Sequence, residues 1–233
     1  METRLDEIAP QIFRIAVWTG KAPITFNQFV IRDEHPTLIH TGHAALFETI
    51  RAQVERLLDP RTLRYISFSH FEADECGGLN HWLTLAPQAE VCCGSIAART
   101  SIADFAVRPP RAVADQGVVE LGTHRLQVLE TPHFPHNWDA ILLYEAHSRT
   151  LFGSDLGTHG GQREALTEDD RSEEVLTLQQ RLGYMPAGPH VSATLARLRQ
   201  LPIACLATMH GLALCGASVS TLFTALEGAC GGA

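Results

Sequence analysis

The sequence predicts an α+β fold of four layers, two β-sheets packed face to face with helices outside both. Three observations lead there. Short apolar runs of strand length dominate the first half with helical segments between them, and the pattern then recurs in the second half. No internal repeat and no low-complexity linker interrupts the chain, so residues 1–233 are expected to form a single domain. Apolar residues make up 45% of the chain, enough for a large core and too many for a disordered protein.

The elements follow in order. Residues 11–18, 27–32 and 37–40 read as strands, with Asp33-Glu34-His35-Pro36 turning the chain between the second and third. Residues 44–58 read as a helix, because Phe47, Ile50, Val54, Leu57 and Leu58 fall on one face, and Asp59-Pro60 stops it. Residues 64–69 form a buried strand and 77–85 a short helix ended by Pro87. A strand at 90–93 and a helix near 96–105 precede the Pro109-Pro110 break. Strands follow at 118–121, 125–130, 140–145 and 150–153. The polar, glycine-containing stretch 158–171 reads as a loop. Helices near 173–182 and 191–201, a strand at 204–208 and a helix at 217–227 complete the chain, and the tail 228–233 is expected to fray.

Charge excludes two classes of partner. The balance of 18 basic and 26 acidic residues gives −8, with no basic cluster, which argues against nucleic acid and anionic membrane surfaces. There is no secretory leader pattern and no apolar run of about 18 residues, so a soluble cytoplasmic protein is expected. Cys76, Cys92, Cys93, Cys205, Cys215 and Cys230 form no C-x-x-C pair, and reduced, mostly buried thiols are expected.

The chemistry concentrates after the strand at 64–69, where His70-Phe71-Glu72-Ala73-Asp74-Glu75 packs one imidazole and three carboxylates into six residues. Side chains at a strand end and the following turn can converge on one point. A zinc hydrolase of similar spacing would carry His where Glu72 stands. Carboxylate in place of imidazole hardens the site, which suits iron or manganese better than zinc. Three later segments repeat the design of a strand ending in a ligand-type residue: Thr131 to Asp139, with His133 and His136; Leu151-Phe152-Gly153-Ser154-Asp155, followed by His159; and Leu206-Ala207-Thr208-Met209-His210. One polar run alone would be a solvated loop. Four in this order point to a dinuclear iron site.

The order His-x-Glu-x-Asp, His, Asp, His resembles the diiron domain of flavodiiron proteins over nearly the whole chain, from the strands before His40 to His210. Phe-Gly-Ser-Asp-Leu-Gly-Thr-His-Gly at 152–160 resembles the family's stretch around its bridging Asp, and His136-Asn137-Trp138-Asp139 its His-x-x-Asp after Thr-Pro. The resemblance implies a four-layer αββα sandwich of the metallo-β-lactamase type. It implies that His70, Glu72 and His136 hold one iron, that Asp74 and His210 hold the other, and that Asp155 bridges both. Two departures leave alternatives. The family has His where Glu75 stands, so Glu75 either ligates the second iron or turns away and leaves an open position. The loop before His136 is one residue longer than the family's, which keeps His133 as the alternative to His136. His40 stands where much of the family has Asp, and His159 fits a supporting place near Asp155.

The expected function is binding of O₂ or NO at two iron ions, as an oxygen sensor or carrier or as an oxidoreductase. No flavodoxin domain and no FMN site is expected in this chain, so electrons would come from a separate redox protein; a signalling partner and a homodimer are the other expected associations. The rival reading is a zinc-dependent hydrolase of the same superfold, acting on an ester, lactone or thioester, with zinc or manganese in place of iron.

Overall fold

Two seven-stranded sheets carry the chain in the computed structural model, which describes residues 1–161 and 164–230. The first contains β1 (Glu2–Ala9), β2 (Ile12–Trp18), β3 (Phe26–Ile31), β4 (Thr37–Ile39), β5 (Tyr65–Ser67), β6 (Glu90–Gly94) and β7 (Arg111–Val113) in sequential order. Its helices are α1 (Phe47–Val54), α2 (Ala73–Cys76), α3 (Leu79–Leu85), α4 (Ser95–Ala97) and α5 (Ala103–Phe105), the last two joined by a π-helical turn at Ala98–Ile102. The second sheet is built from β8 (Val118–Glu120), β9 (Arg125–Glu130), β10 (Ile141–Glu145), β11 (Thr150–Ser154), β12 (Leu166–Thr167), β13 (Cys205–Thr208) and β14 (Ala213–Cys215), in the order β12-β14-β13-β11-β10-β9-β8. Helices α6 (Ser172–Leu182), α7 (Pro189–Leu198) and α8 (Ala217–Cys230) belong to this half.

The period of two along the strands sorts the apolar side chains into three cores, which is what makes four layers. On β3 and β4, Phe29, Ile31 and Ile39 face the second sheet, whereas Val30 and Leu38 face outward under Ile50 and Val54 of α1 and Trp82 and Leu83 of α3. On β10, Ile141 and Leu143 face the first sheet, while Leu142 and Tyr144 pack under Val175, Leu195 and Leu222 of α6, α7 and α8. Central strands are buried on both faces, hence the continuous apolar runs at Ile141–Glu145 and Thr150–Ser154.

The predicted strands and helices are present with shifted ends: α1 begins at Phe47 after a 3₁₀ turn (Ala44–Leu46) and stops at Val54, and α8 runs to Cys230. Residues 162–163 of the predicted loop and 231–233 of the predicted tail lie outside the described residues. Strands β1, β7, β12 and β14 were not expected from the sequence. β1 is an edge strand whose mostly half-exposed face carries charges, and β12 and β14 are too short to show a period.

In the inter-sheet core Phe152 is buried and set edge-on to Phe29, with ring centroids 5.2 Å apart. Phe152→Ala removes that contact where neither sheet can collapse, so denaturant unfolding should show a loss of about 3–5 kcal/mol.

Candidate metal centre

Strands β9, β11 and β13 run in one direction, since β9 and β11 both flank β10 antiparallel and β13 pairs with β11 in parallel. The loops bearing the predicted ligands leave their C-terminal ends and that of β5, a common place for a site in open sheets. Hydrogen bonds between the two sheets fix this end. Ile141 N donates to Ser69 O at 3.1 Å, and Phe71 N to Asp139 Oδ2 at 3.0 Å. From the other side, Asn27 Nδ2 donates to Thr208 O and Gly211 O, both at 2.8 Å, and the buried Arg14 donates through Nη2 to Gly211 O at 2.9 Å. The loop carrying His210 is thus held by side chains of the opposite sheet.

Six of the seven predicted residues converge. His70 Nε2 lies 2.8 Å from Glu72 Oε2 and 3.6 Å from Asp155 Oδ2, and His136 Nε2 lies 2.9 Å from Asp155 Oδ2 and 3.5 Å from Glu72 Oε2. The donor atoms of His70, Glu72, His136 and Asp155 all fall within 4.8 Å of one another. The other carboxylate oxygen, Asp155 Oδ1, lies 3.1 Å from His210 Nε2, which is 3.4 Å from Asp74 Oδ2. One carboxylate therefore divides its two oxygens between two groups of donors. The open side is at Glu72, whose side chain is 48% exposed, against 20% for His136 and 7% for His210.

Glu75 is the exception: of the two places the sequence left open to it, its side chain takes the one turned away from the cluster. One turn of α2 carries its side chain to the far side of His70, where it is buried. Its Oε2 accepts from Ser69 N at 2.6 Å and His70 N at 3.3 Å; its Oε1 accepts from Ser154 Oγ and stands 3.5 Å from His40 Nδ1 and 3.7 Å from His70 Nδ1. A carboxylate fully engaged by the β5 turn and by Ser154 has no oxygen to turn toward Asp74 and His210. Its place is behind His70, where it holds the backbone of residues 69 and 70 and the hydroxyl of Ser154, which stands 3.5 Å from His70 Nδ1. His40, whose role the sequence left open, packs against it. Burial outweighs the attraction of Glu75 and holds the His40 imidazole below its usual range, so this pair is a neutral ring beside a carboxylate.

The choice between His136 and His133 is equally geometric. His133 is exposed and faces His190, with ring centroids 6.3 Å apart, whereas His136 lies 4.4 Å from His70 between ring centroids. His159 is buried, donating through Nδ1 to Gly157 O at 2.8 Å and accepting at Nε2 from Leu212 N at 3.0 Å, so it ties the Asp155 loop to the His210 loop. Sequence reasoning missed Thr25, whose carbonyl accepts from His210 Nδ1 at 2.7 Å and whose hydroxyl accepts from Gly211 N at 3.0 Å. It also missed Arg14 and Asn27. A buried Arg inside an apolar strand is the signal that could have found the first of these. Tyr184 donates its hydroxyl to Asp155 O at 3.1 Å and stands edge-on to His136.

The donor set fits metal ions. It is nitrogen and oxygen throughout, and with Nδ1 of His210 committed to Thr25 O, the Nε2 lone pair points at the carboxylates. Without a metal, protons must supply the positive charge. Burial alone pushes the His70 imidazole down, but Glu75, Glu72 and Asp155 outweigh it and raise it to about 9. For His210, Asp155 and Asp74 likewise overcome burial and raise it to about 10. Burial pushes Asp155 up, yet His136 and His210 hold it well below the usual carboxylate range.

Fold and site together define a metal-binding protein of the metallo-β-lactamase superfold, in its flavodiiron form. The family described as ODP family beta lactamase matches residues 24–211, and the chain belongs to it. Diflavin flavoprotein A 1 of Thermosynechococcus vestitus is 28% identical over 80% of this chain and 34% of its own length. A nitric oxide reductase of Moorella thermoacetica is 26% identical over 81% of this chain and 49% of its own. The chain thus spans between about a quarter and a half of the length of the curated relatives it matches. Among solved structures, the fragment 1-254 of diflavin flavoprotein A 5 from Nostoc sp. PCC 7120 superposes with a TM-score of 0.84 at 19% identity, covering 97% of this chain and 94% of that one. The metal-soaked flavodiiron core from Synechocystis sp. PCC6803 gives 0.82 at 22% identity, covering 97% and 61%. These structures share the αββα fold.

Two outcomes follow. In the metal-free protein, His70 and His210 have folded-state values above their unfolded one, so their contribution to stability is complete below about pH 6.5 and is lost as pH rises through about 9 to 10. Urea midpoints of the metal-free protein should fall across that window, those of the loaded protein should not, and loading at neutral pH should release about two protons by calorimetry in paired buffers. For Glu75 and Asp155, metal titration separates the roles. Glu75→Gln should keep both metals with affinity lowered about 10-fold, whereas Asp155→Asn should lose at least one metal per chain.

Proposed function

We propose that this chain is one metallo-β-lactamase-like unit holding two iron ions, and that it binds O₂ or NO there and passes electrons to it from a separate redox protein. The observation that carries the reading is the division of Asp155 between its two partners, with Oδ2 at 2.9 Å from His136 Nε2 and Oδ1 at 3.1 Å from His210 Nε2. A carboxylate so placed suits two cations about 3.5–4 Å apart. His70, Glu72, His136 and Asp155 would hold one iron; Asp74, His210 and Asp155 would hold the other. When bound, the pair supplies reversible one-electron chemistry at two adjacent centres.

The protein's own residues then set three conditions. Turning Glu75 away leaves the Asp74–His210 side with one donor fewer than the His70–His136 side, so that position is the one left for a small ligand. Burial of His70, Asp155 and His210 keeps bulk water from the floor of the site, while Glu72 and His136 line its open face. Thr25 O, at His210 Nδ1, fixes the ring's tautomer and so the donor it presents. The names of the relatives, flavodiiron protein, nitric oxide reductase and rubredoxin oxygen:oxidoreductase, support a redox reading, and Glu72 in place of imidazole supports iron over zinc. Among the described residues no helix is long and apolar enough to cross a membrane.

Anaerobic purification, metal analysis and an optical spectrum before and after O₂ test this. About two irons per chain and a new visible band are expected. His136→Ala should abolish the band, and the exposed His133→Ala should leave it. Zinc, no band and hydrolysis of an ester or lactone would replace this reading with the hydrolase.

A further inference from the structure

The antiparallel pairing of β13 and β14 sets two thiols opposite one another, away from the metal centre. Cys205 is the direct cross-strand partner of Cys215, and Leu206 of Leu214. Just beyond the pair, Gly216 N donates to Ala204 O at 3.1 Å, so 204 and 216 occupy a hydrogen-bonded position. Cys205 and Cys215 therefore occupy the adjacent non-hydrogen-bonded one, where Cα atoms approach to about 4.5 Å and side chains stand closest. That spacing lies within the roughly 4.4–6.8 Å a disulfide requires. Parity puts both thiols on one face. Leu206 and Leu214 point into the outer core, and Ala207 into the inter-sheet core, so Cys205 and Cys215 share the inter-sheet side at the start of β13.

Exposure completes the pair: Cys205 is buried and Cys215 half-buried. The neighbouring Cys205 thiol holds Cys215 below the usual thiol range, and Cys215 in turn raises Cys205. The adjacent Cys92 and Cys93 lack this geometry, since β6 sends them to opposite faces, Cys92 to the inter-sheet core and Cys93 to the outer one.

We propose that Cys205 and Cys215 are a redox modification site, a cross-strand dithiol that peroxide converts to a disulfide. The Cys215 thiolate attacks hydrogen peroxide; an S–O bond forms, the O–O bond breaks, and the departing oxygen leaves as water, giving a sulfenic acid. The Cys205 sulfur attacks that sulfur; the S–S bond forms, the S–O bond breaks, and a second water leaves with the Cys205 proton. Two thiols lose two electrons, and one peroxide becomes two waters. The product would tie β14 to the strand that ends two residues before His210.

The test uses the reduced full chain with its metal bound, treated with stoichiometric hydrogen peroxide. Free thiols are counted and a pepsin digest, which cuts among Leu206, Leu212 and Leu214 at low pH, is read by mass spectrometry. A loss of two thiols, a joined peptide pair containing Cys205 and Cys215, reversal by dithiothreitol, and retention of the Cys205 thiol in Cys215→Ser are expected. An unchanged thiol count, a link through any other cysteine or between chains, or higher oxidation of Cys215 without a link overturns the proposal.

Discussion

The upper end of this protein is organised by the two oxygens of Asp155. One carboxylate, nearly buried at the end of β11, meets His136 and His70 with one oxygen and His210 with the other. Burial alone would favour a protonated acid, and only the surrounding imidazoles keep it charged. The same field raises His70 and His210, so protons or metal ions must neutralise the carboxylates whenever the fold closes. Charge of this kind is costly in an apolar sandwich. Its presence at the ends of four strands is the mark of a site built for cations.

Holding that carboxylate in register requires both sheets. Asp155 and His210 come from the second sheet and His70, Glu72 and Asp74 from the first, so the cluster exists only when the sheets are locked at this end. The lock is polar: Arg14, Thr25 and Asn27 reach across to the His210 loop, and Asp139 reaches back to Phe71. Buried donors and acceptors of this type are worth little net stability when paired, yet leave large penalties when one partner goes. They select one arrangement of the sheets, and the three apolar cores supply most of the energy that maintains it.

Much of this was legible in the residues. The four-layer order followed from strand-length apolar runs and amphipathic helices. The strand ends pointed to four ligand-bearing segments, and the flavodiiron resemblance named His70, Glu72, Asp74, His136, Asp155 and His210 within them, leaving His133 as the alternative to His136. Glu75 was not legible, because a sequence states which groups are near in the chain and not which side of a short helix they take. One residue along α2 separates Asp74, facing His210, from Glu75, facing Ser69 and Ser154. The supporting residues were hidden for a related reason: Arg14, Thr25 and Asn27 lie more than a hundred residues from His210 and meet it only across the sandwich. Strand β1 was hidden by its charges, which an edge strand tolerates.

Glu72 and Glu75 show how one residue type does opposite work three positions apart. Both stand where more imidazole would suit a zinc site, but only Glu72 offers its oxygens to the cluster. Glu75 spends both of its oxygens on the backbone of the β5 turn and on Ser154, and stands behind His70 beside a neutral His40. The result is an asymmetric pair of positions, one closed by four side chains and the other by three, sharing a single carboxylate. A symmetric site would hold two metals equally and leave no preferred place for a third party. In this one, the missing donor is on the Asp74–His210 side, and the charge behind His70 strengthens the imidazole on the other. The carboxylate of Glu75 therefore acts on geometry and on the basicity of His70 at once, from outside the cluster of donor atoms.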